Sequence, residues 1–249
     1  MKNLVSIITP TFNSSRYIDK CIKSVISQTY TNWELILVDD YSTDKTQQII
    51  IKYSRQYKKI KSIILNKNSG VANARNIAMQ NSNGRFIAFL DSDDCWHKDK
   101  LSLQLDFMIK NNYAFTFTSY QPISQNEKKK YKIIHAPKKV SYNEYLKNTI
   151  IGCLTVVIDK EKTGIFFMPN INSSQDMALW LDLMKKGFCA HGLKLNLASY
   201  RIVKESNTYN KLKAIKDVWF VYRKYEKLSF FYSLWCFIFY IFNAIRKRI

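Results

Sequence analysis

Two hydrophobic patterns alternate along the first half of the chain: short apolar runs, and stretches whose apolar residues recur at helical spacing. The apolar runs predict strands at residues 4–10, 33–40, 61–66 and 85–91. The stretches between them predict helices at residues 15–28, 42–57 and 70–82, with Ser14 or Ser15, and Ser42 or Asp44, as candidate N-caps. Strands that alternate with helices indicate an α/β fold with a mostly parallel, doubly wound sheet.

Polar residues follow each of these predicted strands. The four polar clusters are residues 9–13, 39–40, 66–70 and 91–94. Ligands of doubly wound sheets bind beyond the carboxyl ends of the strands. We therefore expect the four strand ends to meet at one crevice that carries the chemistry.

The second half of the chain is less regular. Its patterns predict a helix at residues 100–112, a strand at 113–120, an apolar strand within 148–164 that ends in a turn, and an amphipathic helix at 173–187 with Gly187 beyond its end. We expect residues 151–155 and the loop before Gln175 to shape an acceptor pocket.

Charge changes the picture, because 39 Lys and Arg residues outnumber 19 Asp and Glu residues and give a net charge of +20. Such an excess implies an anionic partner: nucleic acid, an anionic membrane or a phosphorylated substrate. The basic runs at 127–132 and 136–140 are typical of solvated surface. The five cysteines include no CxxC pair, which argues against a zinc site and favours reduced thiols in a cytosol-facing compartment.

The acidic stretch "FLDSDDCW" runs against this positive charge, with Asp91, Asp93 and Asp94 within four positions. Asp93 could bind a metal ion with Asp91 or Asp94 beside it, and carboxylate oxygens suit Mg²⁺ or Mn²⁺. The simpler alternative is that these residues end a strand and cap the next helix. A divalent cation that arrives with a diphosphate would relieve their mutual repulsion.

Five stretches carry a resemblance to a known family: "VSIITPTFN", "ELILVDDYSTDKT", "NKNSGVANARNIA", "GRFIAFLDSDDCW" and "SSQDMALW", which together span roughly residues 4–182. In this order and spacing they resemble the family 2 glycosyltransferases, which have the GT-A fold. The resemblance implies transfer of a sugar from a nucleotide diphosphate sugar, expected to be a UDP-sugar, with inversion at the anomeric carbon. Similar bacterial enzymes build O-antigen and capsule repeat units.

The resemblance also implies roles for individual residues. Pro10, Thr11 and Phe12 match the segment along the nucleoside, and Asp39 and Asp40 match the pair that hydrogen-bonds the pyrimidine and ribose. Asn68 and Arg75 match residues of the nucleotide-binding loop and helix. Asp91 and Asp93 match the DxD motif, in which Asp93 is the better ligand for Mn²⁺ or Mg²⁺. Arg201 matches a basic residue near the diphosphate, and the equal alternative is that it is a surface arginine.

Asp176 in "SSQDMALW" matches the catalytic base of the family. One carboxylate suffices for a single displacement, because it takes the proton of the acceptor hydroxyl while the metal stabilises the leaving diphosphate. The alternative is an N-cap for the helix that follows. The sequence departs from the family here, since Gln175 stands where Glu is usual, and this puts the role of Gln175 in doubt. His97, His135 and His191 have no partners at ligand spacing and are expected to be structural or surface residues.

The C-terminal region is uncharged and aromatic over residues 228–245, with basic clusters on both sides. This length is borderline for a membrane span, and charge at both ends favours an interfacial helix on anionic lipid. The alternative is a helix packed on the catalytic domain. We expect a catalytic domain at 1–209, with a nucleotide-sugar half at 1–98 and an acceptor half at 99–209, and a membrane-associated tail at 210–249.

Two other classes compete with this interpretation. A nucleotidyltransferase is expected to have a glycine-rich basic loop after the first strand, but "PTFNSSRY" has no glycine and one arginine. A nucleic-acid-binding protein is disfavoured because no familiar motif appears and an acidic crevice repels phosphate unless metal is present. The sequence thus predicts an enzyme peripheral to the inner face of the bacterial cytoplasmic membrane, with a polyprenyl-diphosphate-linked acceptor and no nucleic acid partner.

Overall fold

The computed structural model describes residues 3–203 and 211–246. Its strands are β1 (Val5–Thr11), β2 (Trp33–Asp39), β3 (Ile60–Ile64), β4 (Phe86–Phe89), β5 (Cys95–Trp96), β6 (Phe115–Ser124), β7 (Lys139–Val140), β8 (Val157–Asp159) and β9 (Ala190–Ile202). Its α-helices are α1 (Ile18–Ile26), α2 (Thr46–Gln56), α3 (Val71–Gln80), α4 (Lys100–Lys110), α5 (Tyr142–Lys147), α6 (Lys160–Thr163), α7 (Gln175–Lys185), α8 (Lys211–Phe220) and α9 (Phe230–Arg246). A 3₁₀ turn covers Cys153–Thr155, and a π-helical segment covers Val221–Tyr225.

In the described part of the chain, the strands form one sheet in the order β3-β2-β1-β4-β8-β6-β9-β5, with β7 also paired to β9. The β3-β2-β1-β4 part is parallel, as the alternating pattern predicts. Strand β8 is antiparallel to β4 and β6, whereas β6 and β9 are parallel to each other. The α/β class and the C-terminal helix are confirmed.

Helices cover both faces of the sheet, and so β1 and β2 are buried along their whole length. Successive residues of β1 point to opposite faces. Ile7 packs with α1, α2 and α4 in one core, and Ile8 packs with α3 and α7 in the other. Burial on both faces explains why these strands read as continuous apolar runs.

The predicted strand within 148–164 is wrong over most of its length. Its place is taken by the 3₁₀ turn, the short strand β8 and the short helix α6. The carboxylate of Asp159 ends β8 because it accepts the N–H of Glu161 and pairs with Arg85 at 2.6 Å. Gly164 then ends α6 at a φ of 73°, a conformation that favours glycine.

The helix ends agree only partly with the predicted caps. Helix α1 begins at Ile18 without a side-chain cap, because the backbone carbonyl of Ser14 accepts the first N–H groups while its hydroxyl bonds to Phe12. Asp44 accepts the N–H of Thr46, where α2 begins. Gly187 lies beyond α7 at a φ of 93°, as predicted.

The C-terminal region is a fixed part of the fold along one side. Helix α9 contacts α5, and its Cys236 and Ser233 are fully buried beside Tyr222 of the π-helical segment. No helix in the described ranges is long and apolar enough to cross a membrane. The predicted domain boundary at 209/210, and Lys247 and Arg248 of the basic cluster, lie outside the described residues.

A buried lysine, Lys100, lies at the start of α4, the helix that packs on β6 and β9. The Lys100 ammonium group donates to Gln104 Oε1 at 2.9 Å and lies 4.1 Å from the centre of the Trp96 ring. Gln104 in turn donates to Thr116 and to the carbonyl of Thr155. Burial disfavours the charged form and lowers the pKa of Lys100 to about 7.

This burial predicts how stability depends on pH. The unfolded chain keeps the Lys100 proton up to its ordinary pKa of 10.5, whereas the folded protein releases it near pH 7. The unfolded state therefore binds more protons above pH 7, and the contribution of Lys100 makes stability rise with pH. Between about pH 7 and about pH 8.5, Lys100→Met should remove roughly 1 kcal/mol or more of this rise, measured by urea unfolding.

Lys110→Met, which changes an exposed lysine of the same helix, is the matched control. Equal pH slopes for the wild type and Lys100→Met would show that Lys100 keeps its charge in the folded protein.

Candidate active site

Register brings the predicted polar clusters together at one edge of the sheet. Thr11 at the end of β1 pairs with Asp39 at the end of β2, and the N–H of Leu90 donates to Ile8 one residue before the acidic stretch. The third cluster joins the second, because Asn68 Nδ2 donates to the carbonyl of Asp40. The crevice expected from the sequence is thus present in the structure.

Asp39 and Asp40 are both buried but differ in how many hydrogen bonds they accept. The Asp39 carboxylate accepts from the hydroxyls of Thr11 and Ser42, the N–H of Ser42 and the amide of Gln47, at 2.6–3.1 Å. A carboxylate has about four acceptor positions, so Asp39 is saturated. Within residues 3–203 and 211–246, Asp40 accepts only the N–H groups of Ser69 and Gly70, at 2.7 and 2.8 Å.

The segment after β1 leaves one large side chain open to solvent. Pro10 and Thr11 are buried, whereas Phe12 is 50% exposed. Asn13 holds this segment against the loop after β2, since it donates to Ser42 and accepts from the N–H of Thr43. The exposed ring therefore lies on a rigid base beside Asp39 and Asp40.

The acidic residues after β4 have different partners. Asp91 forms a 2.5 Å ion pair with the buried guanidinium of Arg75, and the buried Asp94 accepts the N–H of Arg201 at 2.7 Å. Among the described residues, none donates a side-chain hydrogen bond to the Asp93 carboxylate. Burial and then repulsion from Asp91 raise the pKa of Asp93 to about 6, and burial and repulsion from Asp93 raise that of Asp94.

This donor set bears on the predicted metal. The described part of the chain holds no group of three or more His, Cys, Asp or Glu side chains placed to bind a metal ion together. A site that offers one or two carboxylates and takes its other oxygens from substrate phosphates fits Mg²⁺ or Mn²⁺. The raised pKa values of Asp93 and Asp94 indicate unbalanced negative charge, which a cation would offset.

Arg201 is not the surface arginine that was one of the two predicted alternatives, since its side chain is buried. Its side chain is fully buried and donates to the carbonyls of Asp93 and Gln125 at 2.8 and 3.0 Å and to the carboxylate of Glu127 at 2.8 Å. It also stacks on the ring of Tyr17. Arg201 therefore ties β9 to the acidic stretch and to the loop that follows β6.

Asp176 faces the crevice from the other half of the chain. It lies in the first turn of α7, and Trp180 one turn later is fully buried and anchors the helix. Burial raises the pKa of the Asp176 carboxyl, and the charge of Arg75 opposes that rise. Ser174 precedes the helix at a φ of 58°, so Asp176 is not the N-cap. The charges of both Asp91 and Asp176 act on Arg75.

Gln175 holds the loop before α7. It is buried, and its amide donates to the carbonyl of Ile171 at 2.8 Å. Asn76 of α3 also fixes this loop, because its amide exchanges two hydrogen bonds with the backbone of Met168. Sequence reasoning missed Asn76, since a polar residue within a helix gives no signal of a partner 92 positions away. His191, which stacks on Tyr113, has a structural role, as expected.

Comparison with known proteins agrees with this geometry. Residues 6–167 match the family described as "Glycosyl transferase family 2". The chain is 50% identical, over all of its length and 98% of the relative, to TuaG of Bacillus subtilis, whose name provisionally assigns it to teichuronic acid biosynthesis as a glycosyltransferase. It is 40% identical, over 87% of its length and 84% of the relative, to the Escherichia coli enzyme WfgD, a UDP-Glc:α-D-GlcNAc-diphosphoundecaprenol β-1,3-glucosyltransferase.

A solved structure shares the fold. The mannosyltransferase PcManGT of Pyrobaculum calidifontis, in complex with GDP-Man and Mn²⁺, superposes with a TM-score of 0.70 at 16% identity. The match covers 90% of this chain and 64% of the mannosyltransferase, so the chain spans less than two thirds of that structure.

The hydrogen bonds of Arg201 predict a structural role that can be measured. Arg201→Met should lower the free energy of unfolding by about 2 kcal/mol, because it leaves two partly buried carbonyls without donors. The bond to Glu127 adds little, since that carboxylate is partly exposed. Urea unfolding measures the change, and Arg55→Met on the exposed side of α2 is the matched control. A loss below about 0.5 kcal/mol would contradict the role.

Proposed function

Because this chain belongs to glycosyl transferase family 2, we propose that it transfers a sugar, with inversion, from a nucleotide diphosphate sugar to a glycan acceptor carried on polyprenyl diphosphate. The donor is a UDP-sugar, and Mn²⁺ or Mg²⁺ is required. The observation that carries this proposal is the buried Arg75, which pairs with Asp91 at 2.5 Å and whose charge also acts on Asp176. It supplies a diphosphate site and a candidate base in one crevice.

The nucleoside binds where β1 and β2 end. Phe12 offers an exposed ring as a surface for the base or ribose. Asp40 is better suited than Asp39 to accept a hydrogen bond from the nucleoside, because Asp39 has used its acceptor positions within the fold. Pro10, Thr11 and Asn68 shape this part of the site, and Arg201 acts through the loop that it holds.

The diphosphate lies near Arg75 and the acidic stretch. Arg75 Nε is buried and has no hydrogen-bond partner among the described residues, so it remains available to a phosphate oxygen. Asp93, with Asp91, would hold the metal ion. When bound, such an ion offsets the negative charge that builds up on the leaving nucleoside diphosphate.

Asp176 is the general base. Its carboxylate takes the proton from the acceptor hydroxyl as that oxygen forms a bond to the anomeric carbon. The bond from this carbon to the diphosphate breaks on the opposite face, and the nucleoside diphosphate leaves with the electron pair. The charge of Arg75 favours the ionised form of Asp176 that this step needs.

The acceptor class supports a location at a membrane. WfgD acts, by its name, on a sugar attached to diphosphoundecaprenol, a membrane lipid. An acceptor of this class suits the synthesis of a bacterial surface polysaccharide such as O-antigen or capsule. We place the enzyme on the inner face of the cytoplasmic membrane, peripheral to an anionic lipid surface, and we expect no nucleic acid partner.

Metal removal tests the reaction. Purified protein, a sugar-diphosphoundecaprenol acceptor and a panel of UDP-sugars should yield UDP and an extended acceptor when Mn²⁺ or Mg²⁺ is present. EDTA should abolish release of UDP, and either metal should restore it. Asp93→Asn should lose this activity, while Asp106→Asn, an exposed change on α4, should retain it. Full activity in EDTA would refute the metal requirement.

Substitution of Asp176 tests the base. Asp176→Asn keeps the size of the side chain but cannot take a proton, so kcat should fall by roughly 10²–10⁴-fold. The dissociation constant for the UDP-sugar should change little, and Asp182→Asn on the same helix is the control. A kcat near that of the wild type would assign the base to another residue.

A further inference from the structure

Helix α9 has two faces with different surroundings. On its inner face, Ser233 and Cys236 are fully buried, and Phe237 packs against the core. Two hydrogen bonds attach the helix to α5: Tyr232 donates to Asn143, and Asn243 donates to the carbonyl of Lys147. The helix is therefore built into the catalytic domain and is not a separate tail.

The outer face of α9 is apolar and exposed. Its side chains are 41–82% exposed and recur every three or four positions: Phe230, Phe231, Leu234, Trp235, Ile238, Phe242 and Ile245. Soluble proteins rarely leave a contiguous apolar surface of this kind uncovered, and such surfaces mark interaction sites.

Charge near this outer face has one sign. The chain contains no Asp or Glu after Glu226, and the Glu226 carboxylate is itself buried and paired with Lys185. Lys224 and Lys227 are exposed before the helix, and Arg246 is exposed at its end. An apolar face with cations at both ends of its helix suits a lipid bilayer, which has a hydrocarbon core and anionic headgroups at its surface.

We propose that the outer face of α9 docks the catalytic domain on an anionic lipid membrane, with the helix lying parallel to the surface. A 17-residue helix is about 25 Å long, shorter than the roughly 30 Å hydrocarbon core. Because its inner face is packed on protein, it can enter the bilayer only to the depth of its outer side chains.

A second copy of the chain is the main alternative occupant, and charge argues against it. Two-fold pairing of this face would bring the cations of one copy next to those of the other, in either helix direction. Like charges placed together across an interface weaken binding. An anionic headgroup layer has the complementary charge.

The docked orientation also serves the active site. Helix α5, on which α9 packs, carries the buried Tyr145, whose hydroxyl is close enough to feel the charge of Asp176. At the end of α5, Lys147 lies over the ring of Phe239 and leads into the 148–152 loop. The outer face of α9 is thus connected, through α5, to the part of the crevice where we expect the acceptor to bind. This inference deepens the proposed function, and its purpose rests on the lipid-linked acceptor.

Sedimentation with lipid vesicles tests the docking without any substrate. The full-length protein should bind phosphatidylglycerol-containing vesicles at low salt, more weakly at high salt, and more weakly still to phosphatidylcholine vesicles. Phe231→Ser with Phe242→Ser should lower the partition coefficient at least tenfold. Lys224→Gln with Lys227→Gln should weaken the preference for anionic lipid and leave binding to phosphatidylcholine vesicles unchanged.

Leu103→Ser with Ile109→Ser is the matched control, since these apolar side chains are similarly exposed on α4. It should bind vesicles as the wild type does. All variants should keep the wild-type circular dichroism spectrum and melting temperature, because the changed side chains point away from the core. Point changes are preferable to deletion of residues 228–249, which would uncover Tyr222.

Three results would overturn the proposal: a wild type that ignores anionic vesicles at low salt, outer-face variants that bind as well as the wild type, or a wild-type dimer that these variants convert to monomer without a change in vesicle binding. Failure of the proposed reaction is separable. Vesicle binding uses no donor, and transfer to a short water-soluble acceptor uses no vesicle.

Discussion

Three carboxylates, those of Asp91, Asp93 and Asp94, lie within four residues at the end of a buried strand, and the fold must offset their charge. Two buried guanidinium groups do so in part: Arg75 pairs with Asp91, and Arg201 fixes the backbone around Asp93 and Asp94. These contacts join α3, β9 and the loop after β6 to the acidic stretch. Among the described residues, the Asp94 carboxylate accepts only a backbone N–H, that of Arg201, and no side chain donates to the Asp93 carboxylate, whose pKa is raised by burial and by repulsion from Asp91.

The same buried arginine links the two halves of the chain. Arg75 comes from α3, and its charge also acts on Asp176, which lies on α7 about 100 residues later in the chain. The position of Asp176 depends on Trp180 beneath the helix and on Gln175 and Asn76, which hold the preceding loop. Residues far apart in sequence thereby set where Asp176, the proposed base, lies relative to Arg75. Helix α9 packs on the same acceptor side and turns its aromatic face outward.

Sequence patterns predicted the parallel part of the sheet well. Strands β1, β2 and β4 are buried on both faces, and so each is a continuous run of apolar residues in the sequence. They failed at residues 148–164, where Asp159 and Gly164 turn the chain through local hydrogen bonds and a positive φ. They grouped Asp39 with Asp40 but could not show that all hydrogen-bond acceptor positions of Asp39 are occupied. Its donors come from three separate segments, those of Thr11, Ser42 and Gln47. A helical pattern of apolar residues also could not show whether α9 packs on the domain or is exposed to solvent. In the structure one face of α9 packs on the core, and the opposite face is exposed.

If Asp176 is the base of a single displacement, the anomeric carbon of the transferred sugar is inverted, and the configuration of the product shows whether it is. Wild-type enzyme, a UDP-α-sugar and a lipid-linked or soluble acceptor give a new glycosidic bond whose anomeric proton can be read by NMR. A single displacement should give a β-linkage, which is the inverted configuration, from the first turnover onward. A retained α-linkage would require two displacements or a different course of reaction, and would contradict the role given to Asp176.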